Sequence, residues 1–104
     1  MYLSNYQIDI IKNYFRDKPV NKVYLFGSYA SGTANMESDI DLLLLKESIS
    51  SRSKEMVAAR KLLGGLNQAF DVLVATPEEF EFYRHEAGSV YREISERGTL
   101  IYAK

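Results

Sequence analysis

Hydrophobic positions along this chain switch between two periods, and the switches outline its elements. Ile8, Ile11, Tyr14 and Phe15 follow the i, i+3, i+4, i+7 spacing of an amphipathic helix. Ser4, with Gln7 three residues on, matches a capping box at its start, and Asp17-Lys18-Pro19 stops it. KVYLF, residues 22–26, is β-branched and aromatic and is broken by Gly27, so it reads as a strand. A short helix over 28–31 follows, ended by Gly32, and then a loop over 33–37. DIDLLLL, residues 39–45, reads as a second strand. Its apolar end does not alternate, which predicts burial on both faces in the middle of a sheet.

Residues 46–53 are polar and serine-rich, the composition of a loop. Met56, Val57, Arg60 and Leu63 carry a helical pattern over 54–63, with Gly64-Gly65 ending or loosening it. FDVLVA, residues 70–75, is a third strand. Thr76-Pro77-Glu78-Glu79 is a helix start, with Thr as N-cap, Pro at the first position and Glu at the third. That helix pauses near Gly88-Ser89, restarts through Val90, Tyr91 and Ile94, and ends at Gly98 before a last short strand, TLIY. Strands interleaved with helices predict an α/β fold: a small mixed central sheet of about four strands flanked by helices.

Composition narrows the class. A chain of 104 residues is expected to be one domain, 1–104, with one core and hardly two. Hydrophobic content of 46% and charged content of 26% fit a globular chain and argue against disorder. The net charge of −1 excludes duplex nucleic-acid binding that rests on electrostatics alone. With no cysteine, disulfides and thiolate metal sites are excluded, and a reducing interior suits the chain. No apolar run exceeds the four leucines of 42–45, far below the roughly 20 residues of a membrane helix. MYLSNYQIDI has neither a basic n-region nor an apolar h-region, so the expected location is the cytoplasm, with no membrane partner.

The chemistry concentrates in GSYASGTANMESDID, residues 27–41. On a strand, residues i and i+2 point to one side, so Asp39 and Asp41 share a face with Cα atoms about 6.5–7 Å apart. Two carboxylates so placed can converge on one magnesium ion, or bridge two metals about 3.5–4 Å apart. Without a cation they repel each other and raise one pKa. The spacing alone fits a pair of solvated acids at a strand end better than it fits a metal pair. Gly27-Ser28, between a strand and a short helix, offers backbone N–H groups and a hydroxyl to a phosphate. It is also the pattern of a turn glycine followed by a serine N-cap. Gly27 and Gly32 have the spacing of a Walker A loop, but Thr33 stands where lysine is required, and that reading fails. Asp71 interrupts an otherwise apolar strand. It completes a three-carboxylate site if its strand neighbours residues 39–45, and is a solvated acid if it does not.

Taken together, Gly-Ser after the first strand, ten residues, Asp-x-Asp opening the second strand and a lone Asp opening the third resemble the active site of the DNA polymerase β-like nucleotidyltransferases. GSYASG…ESDIDLLL and the ending ISERGTLIY resemble the smallest branch, the minimal nucleotidyltransferases, and the resemblance covers nearly the whole chain. It implies a Mg²⁺-dependent reaction in which a hydroxyl attacks the α-phosphate of ATP or another nucleoside triphosphate and pyrophosphate leaves. By matching position, Asp39 and Asp41 ligate two Mg²⁺ ions, and Asp71 holds the metal beside the acceptor hydroxyl and helps remove its proton. Gly27 and Ser28 hold the β- and γ-phosphates. The chain departs from the pattern at Ser31, where many members carry a basic residue; the departure should weaken contact with the triphosphate.

The resemblance also implies a partner. Minimal nucleotidyltransferases pair with HEPN-domain proteins as antitoxins, and some transfer AMP to a tyrosine of that partner, the activity of a type VII-like antitoxin. Two alternatives stand beside this expectation: a non-catalytic module that neutralises a HEPN protein by contact, and an aminoglycoside-type small-molecule transferase whose cleft a homodimer could build. His85, the single histidine, is expected on a solvated helix face. Tyr83 and Tyr91 could face a partner helix, whereas the aromatic stripe Phe80, Phe82 and Tyr83 reads as packing. Lys54 and Arg60 are expected on an exposed helix face.

Overall fold

The computed structural model describes residues 1–63 and 68–104. The elements run α1 (Asn5–Phe15), β1 (Lys22–Phe26), α2 (Ser28–Ser31), β2 (Ile40–Leu45), α3 (Arg52–Leu63), β3 (Phe70–Ala75), α4 (Pro77–Tyr83), α5 (Val90–Arg97) and β4 (Thr99–Ala103). The capping box at Ser4 forms, with the Ser4 hydroxyl accepting from the Gln7 N–H and the Gln7 side chain accepting from the Ser4 N–H. A second box forms between Thr76 and Glu79, with Pro77 in the first turn. Helix α3 starts two residues earlier than its apolar pattern predicts, because the pattern begins only at Met56 whereas the polar first turn is helical already. The expected break at Gly64-Gly65 lies outside the described residues.

The strands form one mixed sheet in the order β3-β2-β1-β4. β1 is antiparallel to both β2 and β4, and β2 is parallel to β3. The leucine run therefore lies inside the sheet, as its lack of alternation predicts, and Leu42 and Leu43 are fully buried from opposite faces. Alternation sends Ile40, Leu42 and Leu44 to one face, against Ile11, Phe15, Ala59 and Leu63 from α1 and α3. Leu43 and Leu45 point to the other, against Phe80 of α4 and Ile94 of α5. The expectation of one core is corrected to two apolar clusters. A sheet covered on both faces separates its own packing, even in a chain this short. Each fully buried Leu or Ile stabilises the fold by about 1.5–3 kcal/mol, so both clusters matter.

The same alternation places the site. Asp41 falls in step with Leu43 and Leu45, on the α4/α5 face, at the end of the sheet where β2 and β3 begin and β1 ends. No helix among the described residues is long and apolar enough to cross a membrane.

Candidate active site

Phe26 ends β1 directly opposite Asp41. The next residue, Gly27, has φ 71° and ψ −152°, a backbone region open essentially to glycine alone. A Cβ at this position would also strike the Asp41 carboxylate. Glycine is thus required twice over, once for the turn and once for the approach of the acid to the backbone. Helix α2 follows at once. It is anchored by Tyr29, which is buried and whose hydroxyl donates to the Asn35 carbonyl (3.3 Å) and accepts from Gln68 Nε2 (3.3 Å). Gly32 closes α2 in the left-handed region, φ 82°, with the Tyr2 ring against it.

The loop to the acids is held by its own polar groups. Asn35 Oδ1 accepts from the Glu37 N–H (2.8 Å), and Ser38 Oγ accepts from the Asn35 N–H (2.9 Å). Asp39 leaves this turn exposed, one residue before β2 begins. The Ile40 N–H then bonds to the Ala69 carbonyl (2.9 Å), which ties the start of β2 to the start of β3.

The parallel register sets Asp41 beside Asp71. Residues in register on adjacent strands point to one face, about 4.8 Å apart along the hydrogen-bonding direction. The electrostatics follow from that placement. Burial, then Asp71, then Asp39 push the Asp41 carboxyl up from its ordinary 3.8 to about 6. Asp71 is exposed, and Arg60 Nη2 of α3 donates to its Oδ1 at 3.3 Å. Arg60 is exposed, as expected, and because β3 is an edge strand its long side chain also reaches the acid from α3.

Among the described residues, no three His, Cys, Asp or Glu side chains are gathered closely enough to hold a metal ion. The donor chemistry nonetheless suits one. Asp39, Asp41 and Asp71 offer hard carboxylate oxygens of the kind magnesium takes, and the strain on Asp41 is of the sign that a cation relieves.

On the other side of Gly27 lies a pocket of about 330 Å³, lined by Ser28, Ser31, Thr33, Glu93 and Arg97 among others. Sequence reasoning did not single out Arg97; its one signal was its place just before Gly98 and the last strand. His85 lies in the turn after α4 rather than on the helix, exposed, with Nε2 3.3 Å from Glu81 Oε1 and away from the acids. Tyr83 and Tyr91 lean on each other at 5.9 Å between ring centroids, and Phe80 is the buried member of its stripe.

Residues 9–104 match the family model described as Polymerase beta, Nucleotidyltransferase. A Methanocaldococcus jannaschii protein provisionally named a protein adenylyltransferase is 33% identical over 75 residues, which is 65% of this chain and 74% of that protein. Among solved structures, a chain of a toxin–antitoxin complex with AMP-PNP superposes with a TM-score of 0.68 at 22% identity, over 97% of this chain and 75% of that one. A chain of the complex between tri-AMPylated Shewanella oneidensis HEPN toxin and MNT antitoxin gives 0.66 at 16% identity, over 98% and 74%. A chain of MntA–HepT gives 0.67 at 16%, over 97% and 74%. At these identities the structural likeness establishes the shared fold.

Proposed function

This chain belongs to the polymerase β nucleotidyltransferase family, and from that premise we propose that it transfers AMP from ATP to a tyrosine hydroxyl of a HEPN-domain protein in the cytoplasm, as the antitoxin of that protein. The observation that carries the reading is the register of Asp41 beside Asp71, directly next to the Gly27-Ser28 turn, with Asp41 under electrostatic strain. Three acids brought to one sheet end beside a glycine turn are hard to explain as packing. They are suited to a cationic ligand.

In the proposed reaction the acceptor oxygen forms a bond to the α-phosphorus, and the bond from that phosphorus to pyrophosphate breaks. Asp71, more exposed than Asp41, takes the hydroxyl proton. Asp39 and Asp41 would hold magnesium, which when bound neutralises phosphate charge and polarises the phosphorus. Gly27, lacking a side chain, admits the triphosphate to the backbone, and Ser28 adds a hydroxyl donor. Arg60 balances the charge of Asp71 before substrate arrives and must release it for proton transfer. The protein's part is mainly to position these groups.

A second reading, neutralisation of the HEPN protein by contact, is favoured by one observation: the third acid is already engaged by Arg60. One experiment separates the two. The chain is incubated with a HEPN-domain protein encoded beside it, labelled ATP and Mg²⁺, then again as Asp39→Asn and Asp41→Asn. Label should reach the partner with the native chain only. Suppressed toxicity with no label on the partner would leave the contact reading standing and the transfer reading refuted.

A further inference from the structure

From Gly27 through Leu45 the chain carries no lysine or arginine. A site for a nucleoside triphosphate must still balance several negative charges beyond those near the three acids, so a cation for the terminal phosphates must come from elsewhere in the fold. The sheet supplies one. β1 and β4 pair antiparallel with Leu25 opposite Thr99. Arg97, the last residue of α5, comes two residues before Thr99 and so lies at the same end of β1 as Gly27. The chain keeps to this path because Gly98 packs where a Cβ would meet the carbonyls of Ile94 and Leu25. The Gly98 N–H donates to the Ile94 carbonyl at 2.8 Å, closing α5 at that point.

Arg97 and the Gly27–Thr33 loop accordingly line one pocket of about 330 Å³, within the range of about 300–1,000 Å³ usual for small-molecule sites. The Ser31 hydroxyl lies 2.9 Å from Thr33 Oγ1, so the loop side of the pocket presents hydroxyls and no charge. Among the described residues, no carboxylate lies within ion-pair distance of the exposed Arg97, although Glu93, one helical turn before it, lines the same pocket.

We propose that Arg97 binds the terminal phosphates of the nucleoside triphosphate, supplying from α5 the cation that the loop lacks, with the Ser31 and Thr33 hydroxyls as neighbouring donors. This rests on the nucleotidyltransferase reading of the site and deepens it. A guanidinium suits the task because its planar fork matches phosphate oxygens. Glu93 works against binding, so its neutralisation should tighten the site.

The test is nucleotide binding by the purified chain, measured by titration calorimetry with Mg·ATP and with AMP, which lacks the terminal phosphates. Arg97→Gln should weaken Mg·ATP binding by about 5- to 20-fold, the worth of one partly solvated charge-assisted contact, and leave AMP binding within twofold. Glu93→Gln should strengthen Mg·ATP binding. Ser31→Arg added to Arg97→Gln should restore it, which also shows that the single variant is folded. Equal Mg·ATP binding by Arg97→Gln and the native chain overturns the assignment while the nucleotidyltransferase reading stands. Equal weakening for AMP and Mg·ATP, without rescue by Ser31→Arg, overturns it as well. A native chain that binds no Mg·ATP overturns both.

Discussion

The strain on Asp41 can be released without touching the rest of the fold, and the size and pH dependence of the release are predictable. Asp41→Asn keeps the shape of the side chain and removes its charge. The rise of the carboxyl from 3.8 to about 6 corresponds to about 3 kcal/mol at about 1.4 kcal/mol per tenfold change in proton affinity. Asp41 is only half-buried, and solvent screening reduces that figure to about 1 kcal/mol. The folded state holds the Asp41 proton more tightly than the unfolded chain does. Stability is therefore lost as pH rises from about 4 to about 6, and the penalty is complete above that window. The asparagine variant has no such penalty at any pH. At pH 7.5 it should melt about 4 °C above the native chain, as expected for a change of about 1 kcal/mol in a domain near this size. Near pH 4 the two melting temperatures should converge. Magnesium should raise the native melting temperature more than that of the variant. Thermal melts by circular dichroism between pH 4 and 8, with and without Mg²⁺, provide the measurement. A variant no more stable than the native chain at pH 7.5, or a gap that does not change with pH, would show that Asp41 is not strained by burial and its neighbouring acids.

Three further outcomes follow from local geometry. Gly27→Ala forces a side chain into a positive-φ turn and against Asp41; it should destabilise the fold by at least about 1–3 kcal/mol in urea unfolding and abolish Mg·ATP binding. Arg60→Ala should lower stability by no more than about 1 kcal/mol, since its ion pair is exposed, and the loss should vanish in an Asp71→Asn background if the pair is its source. Lys46 lies 2.8 Å from Glu55, whose Oε2 is buried with no hydrogen-bond partner. Lys46→Ala should cost about 1–3 kcal/mol by leaving that carboxylate unpaired, and Lys46→Ala with Glu55→Gln should recover part of it in the same denaturation assay.

Much of this chain is legible locally. The helix starts at Ser4 and Thr76, the break at Gly27, the stop at Gly32 and the restart after Ser89 are each decided by a few neighbouring residues and appear where those residues place them, whereas α4 stops at Tyr83, before the pause expected near Gly88-Ser89. The unalternating leucines reveal an inner strand because burial on both faces leaves no room for polar positions. The Gly-Ser and Asp-x-Asp pair are likewise visible, since one short stretch contains both. The spacing of that stretch could not say whether its acids were strained or merely solvated. That question turned on Asp71, 30 positions beyond Asp41 in the chain. Only the parallel pairing of β2 with β3 sets the two side by side. The reach of Arg60 to Asp71 and the meeting of Arg97 and Gly27 in one pocket are of the same kind. Strand order and register come from long-range packing, which no local pattern encodes, and at this sheet end they turn separate acids and an arginine into one electrostatic site.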